Sequence, residues 1–423
     1  MAGAIRTCLQ HYGPTILVQG LTLGLGVLTG ILSARMLGPV GRGEYAAIIV
    51  WPMGIASFLA FGVNQALVYH LGQRTFSASE AATAAAVIGA AQGALSVAIG
   101  LVIVPLVLAK YSETVHLLGI LFVFFTPVMI LSVYPGNLFQ GMQNLPRFNL
   151  IRVLAPLTYT FALIGMYATH YVSLGLVIYS QLAGYVLALA LGAPMACSAL
   201  RLRLRWKAKA ISSLLNYGVR IQGLSIATFV NQRIDQLVLS LLVPPRELGL
   251  YAVAVSLSSA LAVFPQAAGI VAFSRGSSQE GDSARGTIRY AFRASLIWLL
   301  AVGTVLFVSA PFLIRLVFGA RFEGSILACR ILIPGALMTG LSFVLYNAAS
   351  AIGRPGLSSV AEGVSVFVTA MGLFLLVPRY GYIGAAIVSS VAYTISFLMM
   401  VVLVHRKLGL SLRNLLISDS QNP

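Results

Sequence analysis

The chain has 423 residues, 59% of them hydrophobic and only 9% Asp, Glu, Lys or Arg, with a net charge of +17. Ordinary soluble domains carry about 25% charged residues, so this composition, with a mean hydropathy of +0.93, excludes a cytosolic enzyme, a secreted domain and a nucleic-acid binder. The apolar runs are long and unbroken, which excludes an outer-membrane barrel, whose strands alternate apolar and polar residues.

A bilayer core of ~30 Å takes about 20 helical residues at 1.5 Å each. Twelve segments of this kind are expected: 14–36, 45–69, 81–109, 116–139, 149–169, 172–197, 213–243, 249–273, 290–318, 325–352, 357–377 and 383–404. The least marked divisions fall near His170 and Pro378. Arg6 and His11 precede the first segment without a cleavage pattern, so that segment is expected to remain as a helix. The fold class is therefore an all-α polytopic membrane protein. Its expected parts are a six-helix bundle (1–200), a basic linker (201–212), a second six-helix bundle (213–404) and a tail (405–423).

Lys and Arg gather in cytoplasmic loops. With the N-terminus inside, 17 basic residues fall in or beside cytoplasmic loops, 6 in or beside outside loops and 4 deeper within spans. Both termini are then cytoplasmic, in a multi-pass protein of a bacterial inner membrane. The basic run Arg201, Arg203, Arg205, Lys207 and Lys209 alternates with Leu202, Leu204 and Trp206, and serves as a topology anchor or meets anionic lipid. Cys8, Cys197 and Cys329 have no metal-ligand or disulfide spacing, and each is expected to pack as a small apolar residue.

The two halves resemble each other. PVGRGEYA (39–46) and PRELGLYA (245–252) align at an offset of 206, matching Pro39 with Pro245, Gly43 with Gly249 and Tyr45 with Tyr251. Pro146/Pro355 and Ser180/Ser389 follow at 209. Six spans per half give both halves the same orientation, a parallel repeat of the kind many transporters use. Gly20, Gly24, Gly26 and Gly30 in the first span invite close approach of a neighbouring helix. Prolines inside spans, among them Pro105, Pro127, Pro135 and Pro311, favour kinks.

A charge at the bilayer centre costs about 2.5–3.5 kcal/mol on insertion scales, so it persists where it faces protein or a wet cavity. The seventh span holds Arg220, Gln222, Asn231, Gln232, Arg233, Asp235 and Gln236, and is expected to line a substrate cavity. Arg220 and Asp235, 15 residues apart, lie within about 60° around a helix. Arg233 and Asp235, two apart, do not face each other. Asp235 either carries a coupling proton or pairs two helices. Glu362, early in the eleventh span, sits at the interface or joins it in ion coupling. Arg35 and Arg330 either present charge to an anion or snorkel. No GxxxxGK[ST], HExxH, CxxC or GxSxG occurs, and the five histidines do not cluster, so a transporter is expected rather than an enzyme.

ILSARMLGPVGRGEYAAI (31–48) resembles the first-loop motif of bacterial polysaccharide-unit exporters. RIDQLVLSLLVPPRELGLYAVA, with Asp235, Gly249 and Tyr251, resembles its second-half counterpart. LIRLVFGARFEGSILACRILIPG, NAASAIGRPGLSSVAEG and RYGYIGAAIVSSVAY resemble the later helices. Over nearly the whole chain the protein resembles the Wzx-type polysaccharide transporters of the multidrug/oligosaccharidyl-lipid/polysaccharide (MOP) exporter superfamily. The resemblance implies two bundles in a V around a cavity. It implies flipping of an undecaprenyl-pyrophosphate-linked oligosaccharide, driven by an H+ or Na+ gradient without a bound cofactor. It implies as partners that polyprenyl-pyrophosphate oligosaccharide, the lipid bilayer and polysaccharide polymerase machinery, on the way to O-antigen, capsule or exopolysaccharide. Guanidinium forks suit a pyrophosphate, and amides such as Gln222, Asn231 and Gln232 suit sugars. The alternatives are a multidrug cation antiporter, a lipid II flippase and a membrane-embedded polysaccharide polymerase.

Overall fold

The computed structural model describes residues 2–201, 203–276, 282–351, 354 and 356–408. Most of the 405–423 tail, with Arg413, and Pro355 of the repeat lie outside the described residues. Those described form helices and connecting turns, with no strand among them. This is what hydrocarbon demands, since each N–H and C=O must be met within its own segment. The helices are α1 (Ala2–Leu59), α2 (Val63–Gly72), α3 (Ala78–Val107), α4 (Glu113–Gly141), α5 (Leu145–Thr169), α6 (Leu174–Ala199), α7 (Ala208–Leu242), α8 (Pro245–Ser259), α9 (Val263–Gly276), α10 (Asp282–Leu313), α11 (Ser325–Ala351) and α12 (Gly356–Leu408).

Nine helical stretches among the described residues are long and apolar enough to cross a bilayer. Two are double length, Leu17–Leu59 with 43 residues and Gly356–Lys407 with 52. Each bends at a glycine, Gly38 (φ 67°) or Gly381 (φ 56°), and so makes two crossings. One further stretch, Pro245–Gly269, runs from α8 into α9. α7 is long enough to cross but too polar to be counted among the nine, and with it the crossings number twelve, as the apolar segments predict.

The prolines inside spans do not interrupt their helices. Pro105, Pro127, Pro135, Pro156, Pro194, Pro311 and Pro334 lie inside continuous helices. The interruptions are at Gly38, at 60–62, at a 3-10 turn Ala260–Ala262 and at Gly381, three residues beyond Pro378. A proline removes one donor, and membrane helices absorb that loss. The sharp bends at Gly38 and Gly381 need a positive φ, which glycine supplies without steric cost. The turn near His170 is where it was expected, with His170 itself at φ 56°. The first-span expectation is also corrected. A Cβ added to Gly20, Gly24 or Gly26 would meet nothing within 4 Å. Of the cysteines, Cys329 is buried and Cys197 is exposed.

Contacts divide the chain into two units, Met1–Leu37 with Glu44–Phe229, and Gly38–Gly43 with Val230–Pro423. In the first unit α3 lies close on α4. A Cβ on Gly93 would come within 2.7 Å of Pro127, and one on Gly100 within 2.6 Å of Val123. Val63, Leu67, Ala84, Ile88, Phe139 and Leu214 belong to its core. Ser96 and Thr126 share a buried hydrogen bond of 2.6 Å. Tyr45 donates to Gln181 Oε1 at 2.7 Å and accepts from the Tyr159 hydroxyl at 3.0 Å.

In the second unit, residues 38–43 rest on the start of α8. A Cβ on Gly43 would sit 1.7 Å from the Pro245 carbonyl oxygen, and one on Gly249 1.9 Å from that of Pro39. The two copies of the repeated motif thus meet backbone to backbone, each glycine against the proline of the other. Beyond them, Glu247 Oε2 accepts from the Tyr382 N–H at 3.4 Å, just past the bend at Gly381. Leu248, Tyr251 and Val253 of α8 are fully buried, and Ser325 Oγ of α11 donates to the Leu250 carbonyl at 2.8 Å.

Candidate functional site

The polar residues of α7 fall into two groups, because residues through Phe229 belong to the first unit and those from Val230 to the second. The first group serves a broken helix. α1 stops at Leu59 and α2 starts at Val63. Between them Phe61 and Gly62 take positive φ, 45° and 60°. Such a break frees backbone groups that lipid cannot satisfy. Two glutamines meet them. Gln222 Oε1 accepts from the Gly62 N–H at 2.7 Å, and its Nε2 donates to the Ser57 carbonyl at 2.8 Å. Gln92 Nε2 donates to the Ala60 carbonyl at 2.9 Å and its Oε1 accepts from Tyr134 at 2.5 Å. α7 comes this close because Gly218 faces Gly62, and a Cβ on either would lie 2.1–2.2 Å from a carbonyl oxygen of the other strand of chain.

Gln222, only 5% exposed, therefore spends its amide on protein rather than on a sugar. Replacing it with Leu strands the buried Gly62 N–H, at a cost of about 1–3 kcal/mol, and leaves the Ser57 carbonyl with only its 3.4 Å bond from the Ala60 N–H. The purified Gln222→Leu protein is expected to melt at a lower temperature in detergent, whereas Arg220→Ala, at an exposed side chain, leaves the melting temperature unchanged.

The second group builds two buried clusters. Asp235 is 3% exposed. It accepts from the Tyr251 hydroxyl, from the Gln236 N–H at 2.7 Å and, more loosely, from Ser389 Oγ at 3.5 Å. Its hydrogen-bond partners are hydroxyls and an amide, with no arginine among them. Arg233 instead donates to Gln236 Oε1 at 3.2 Å. Asp235 thus ties α7 to α8 and α12. At the repeat offset of 206 it stands opposite Thr29, and Tyr251 opposite Tyr45. Both tyrosines anchor their helix, but only the second half uses an acid.

Glu362 was expected at the membrane interface, ahead of a place in a site. It is 9% exposed and accepts from Asn231 Nδ2 at 2.6 Å and from Tyr346. Asn231 Oδ1 accepts from Ser365 Oγ at 2.9 Å, and the Tyr346 and Ser396 hydroxyls share a bond of 2.8 Å. An amide of α7 and a hydroxyl of α11 therefore meet one carboxyl group of α12, with Ser365 and Ser396 bonded behind them. Among the described residues no group of three or more His, Cys, Asp and Glu is placed to hold a metal ion.

The other candidates stand apart from these clusters. Gln232 and Arg233 are exposed on α7, and Arg35 is exposed on α1. Arg330 donates from Nε to the Phe307 carbonyl at 3.2 Å, with its guanidinium 5.4 Å from the Phe307 ring centre, so its charge is directed to α10. Tyr346, Ser365 and Ser396 complete the clusters without having stood out in the sequence, because serine and tyrosine are common in membrane helices. Tyr251 and Ser389 had a signal, their places in the repeat.

A profile for the family described as "Polysaccharide biosynthesis protein" matches residues 9–273. No curated protein matches the chain. Among solved structures, "Lipid II flippase MurJ, inward closed conformation" aligns with a TM-score of 0.76 and 16% identity, over 92% of this chain and 86% of that one. An inward-facing multidrug resistance MATE family transporter of the MOP superfamily gives 0.73 and 14% identity, over 92% and 94%. A eukaryotic MATE transporter gives 0.61 and 14%, over 95% of each chain. At such identities the likeness is one of fold.

Proposed function

The chain belongs to the polysaccharide biosynthesis protein family, and we propose that it flips an undecaprenyl-pyrophosphate-linked oligosaccharide across the bacterial inner membrane by alternating access. The observation that carries this reading is the family match over residues 9–273 on a twelve-crossing helical chain with the fold of the MOP transporters. The excess of basic residues on one side supports cytoplasmic termini.

The chemistry is consistent with the task. A pyrophosphate cannot cross hydrocarbon unaided, because stripping its water is prohibitive. The exposed Arg220 and Arg233 on α7, with Arg35, offer guanidinium forks to phosphate oxygens, and Gln232 offers an amide to sugar hydroxyls. The polyprenyl tail stays in the bilayer throughout. Coupling to an H+ or Na+ gradient falls to Glu362. A buried carboxyl group that meets the Asn231 amide and the Tyr346 hydroxyl can take up and release a proton, or pair with a cation through its own oxygens. Asp235, spent on Tyr251 and its neighbours, serves as the helix tether. The flipped unit then passes to polymerase machinery on the outer face.

The test is made in cells lacking the protein. Completed lipid-linked units should accumulate on the cytoplasmic side while surface polymer disappears, and the mass of the stored lipid identifies the sugar. Normal lipid intermediates together with raised sensitivity to cationic drugs would overturn the reading in favour of a multidrug exporter.

A further inference from the structure

The segment between α6 and α7 is built as more than a connection. α6 has 26 residues, about 39 Å at 1.5 Å each, longer than the hydrocarbon core and ending among the headgroups. The chain that follows, residues 203–207, is neither helical nor paired as a strand, and its alternate amides reach the first turns of α3, the habit of an extended segment. The Arg203 N–H donates to Ser79 Oγ and the Arg205 N–H to Thr83 Oγ1, both at 3.1 Å. Lys207 Nζ pairs with Glu80 Oε1 at 2.9 Å and lies 5.4 Å from the Phe76 ring centre. Glu80 is itself fixed by a capping box with Ser77.

Successive side chains of an extended segment point to opposite sides. With the amides of 203 and 205 both turned to α3, Leu204 and Trp206 share one side and Arg203 and Arg205 the other. Leu204 is 93% exposed and Trp206 69%, an expensive way to arrange two large apolar side chains in water. At headgroup depth the cost vanishes, because Trp is favoured there and an apolar side chain reaches the acyl boundary. Arg201, Arg203, Arg205 and Lys209 are exposed and make no ion pair among the described residues. A topology signal needs only these charges. It needs neither a backbone pinned to two hydroxyls nor a matched pair of exposed apolar side chains.

We propose that residues 203–207 form an interfacial strap that gathers anionic phospholipid, with Leu204 and Trp206 seated in the bilayer surface and Arg203 and Arg205 on the phosphate-bearing headgroups. The charge complementarity is one-sided, since Glu80, the acid that meets the strap among the described residues, is already matched by Lys207.

The test uses the full chain in nanodiscs, with Trp51→Phe and Trp298→Phe leaving Trp206 as the only reporter. Equal mixtures of phosphatidylglycerol and phosphatidylcholine are prepared with bromine on the acyl chains of one lipid or the other. Trp206 emission should be quenched about twofold more when the brominated lipid is the anionic one. Arg203→Gln with Arg205→Gln should remove the difference while leaving the quenching, because the pinning bonds come from backbone. Ser79→Ala with Thr83→Val, which changes no charge, should weaken the preference as well. Absence of quenching, equal quenching by both lipids, or a preference untouched by Ser79→Ala with Thr83→Val would each overturn the proposal.

Discussion

Glu362→Gln is expected to reduce export of the lipid-linked unit at least about tenfold, equivalent to 1.4 kcal/mol or more, while the protein still purifies as a single species. Glutamine has nearly the shape of glutamate, and its Oε1 can still accept from Asn231 Nδ2, which stands 2.6 Å from the carboxylate. Packing among Asn231, Ser365 and Tyr346 is therefore preserved. What is lost is the ability to bind a proton or a metal cation. Surface polymer measured in cells, beside the melting temperature of the purified variant, separates the two effects. Asp235→Asn makes the contrast. An asparagine carbonyl can accept from the Gln236 N–H, and the Tyr251 hydroxyl can turn to donate to Ser389 Oγ, 3.2 Å away. That variant should keep most of its export. Normal export by Glu362→Gln would remove Glu362 from coupling, and loss of export in Asp235→Asn alone would transfer the role to Asp235.

Gly249→Ala is expected to eliminate folded protein almost entirely, although it adds one methyl group. Its Cβ would lie 1.9 Å from the Pro39 carbonyl oxygen and that of Gly43→Ala 1.7 Å from the Pro245 oxygen. Overpacking in a core commonly costs 1–3 kcal/mol when side chains can shift, about the range seen for extra methylenes. Here the opposing atoms are backbone, in segments that cannot rotate out of the way, so the cost should exceed that range. Gly26→Ala is the control. Nothing lies within 4 Å of its added Cβ, and alanine is the better helix former. Fluorescence-detected size exclusion of the three variants checks the ranking. A Gly249→Ala protein that elutes like the parent would show that residues 38–43 do not rest on α8.

The crossings were legible because hydrocarbon sets both their length and their composition, and only α7 departed from that pattern. Its polar residues were marked as unable to face lipid; Gln222, Asn231, Asp235 and Gln236 are buried, and their partners could not be read from one helix. Gln222 looks like a sugar ligand in sequence. Its partners are the freed groups of 57–62, and that break has no local signal stronger than Phe61-Gly62. Glycine density misled for a related reason. A run such as Gly20, Gly24 and Gly26 and a single Gly43 look alike in sequence, and what separates them is the opposing backbone, which arrives from 206 residues away. Glu362 sits where a snorkelling acid would sit by count of residues. Burial under Asn231 and Tyr346, two other helices' side chains, is decided by tertiary packing alone.

The paired motifs also bear on ancestry. Gly43 lies on Pro245 and Gly249 on Pro39, so each position meets the counterpart of its own partner. That reciprocity is the rule for an isologous contact in a two-fold homodimer, here written into one polypeptide. A half-length forebear with a single copy of the motif would have found its complement only in a second molecule of itself. Joining both copies in one chain makes permanent an association that would otherwise depend on concentration, and lets the copies differ, as Asp235 and Thr29 do.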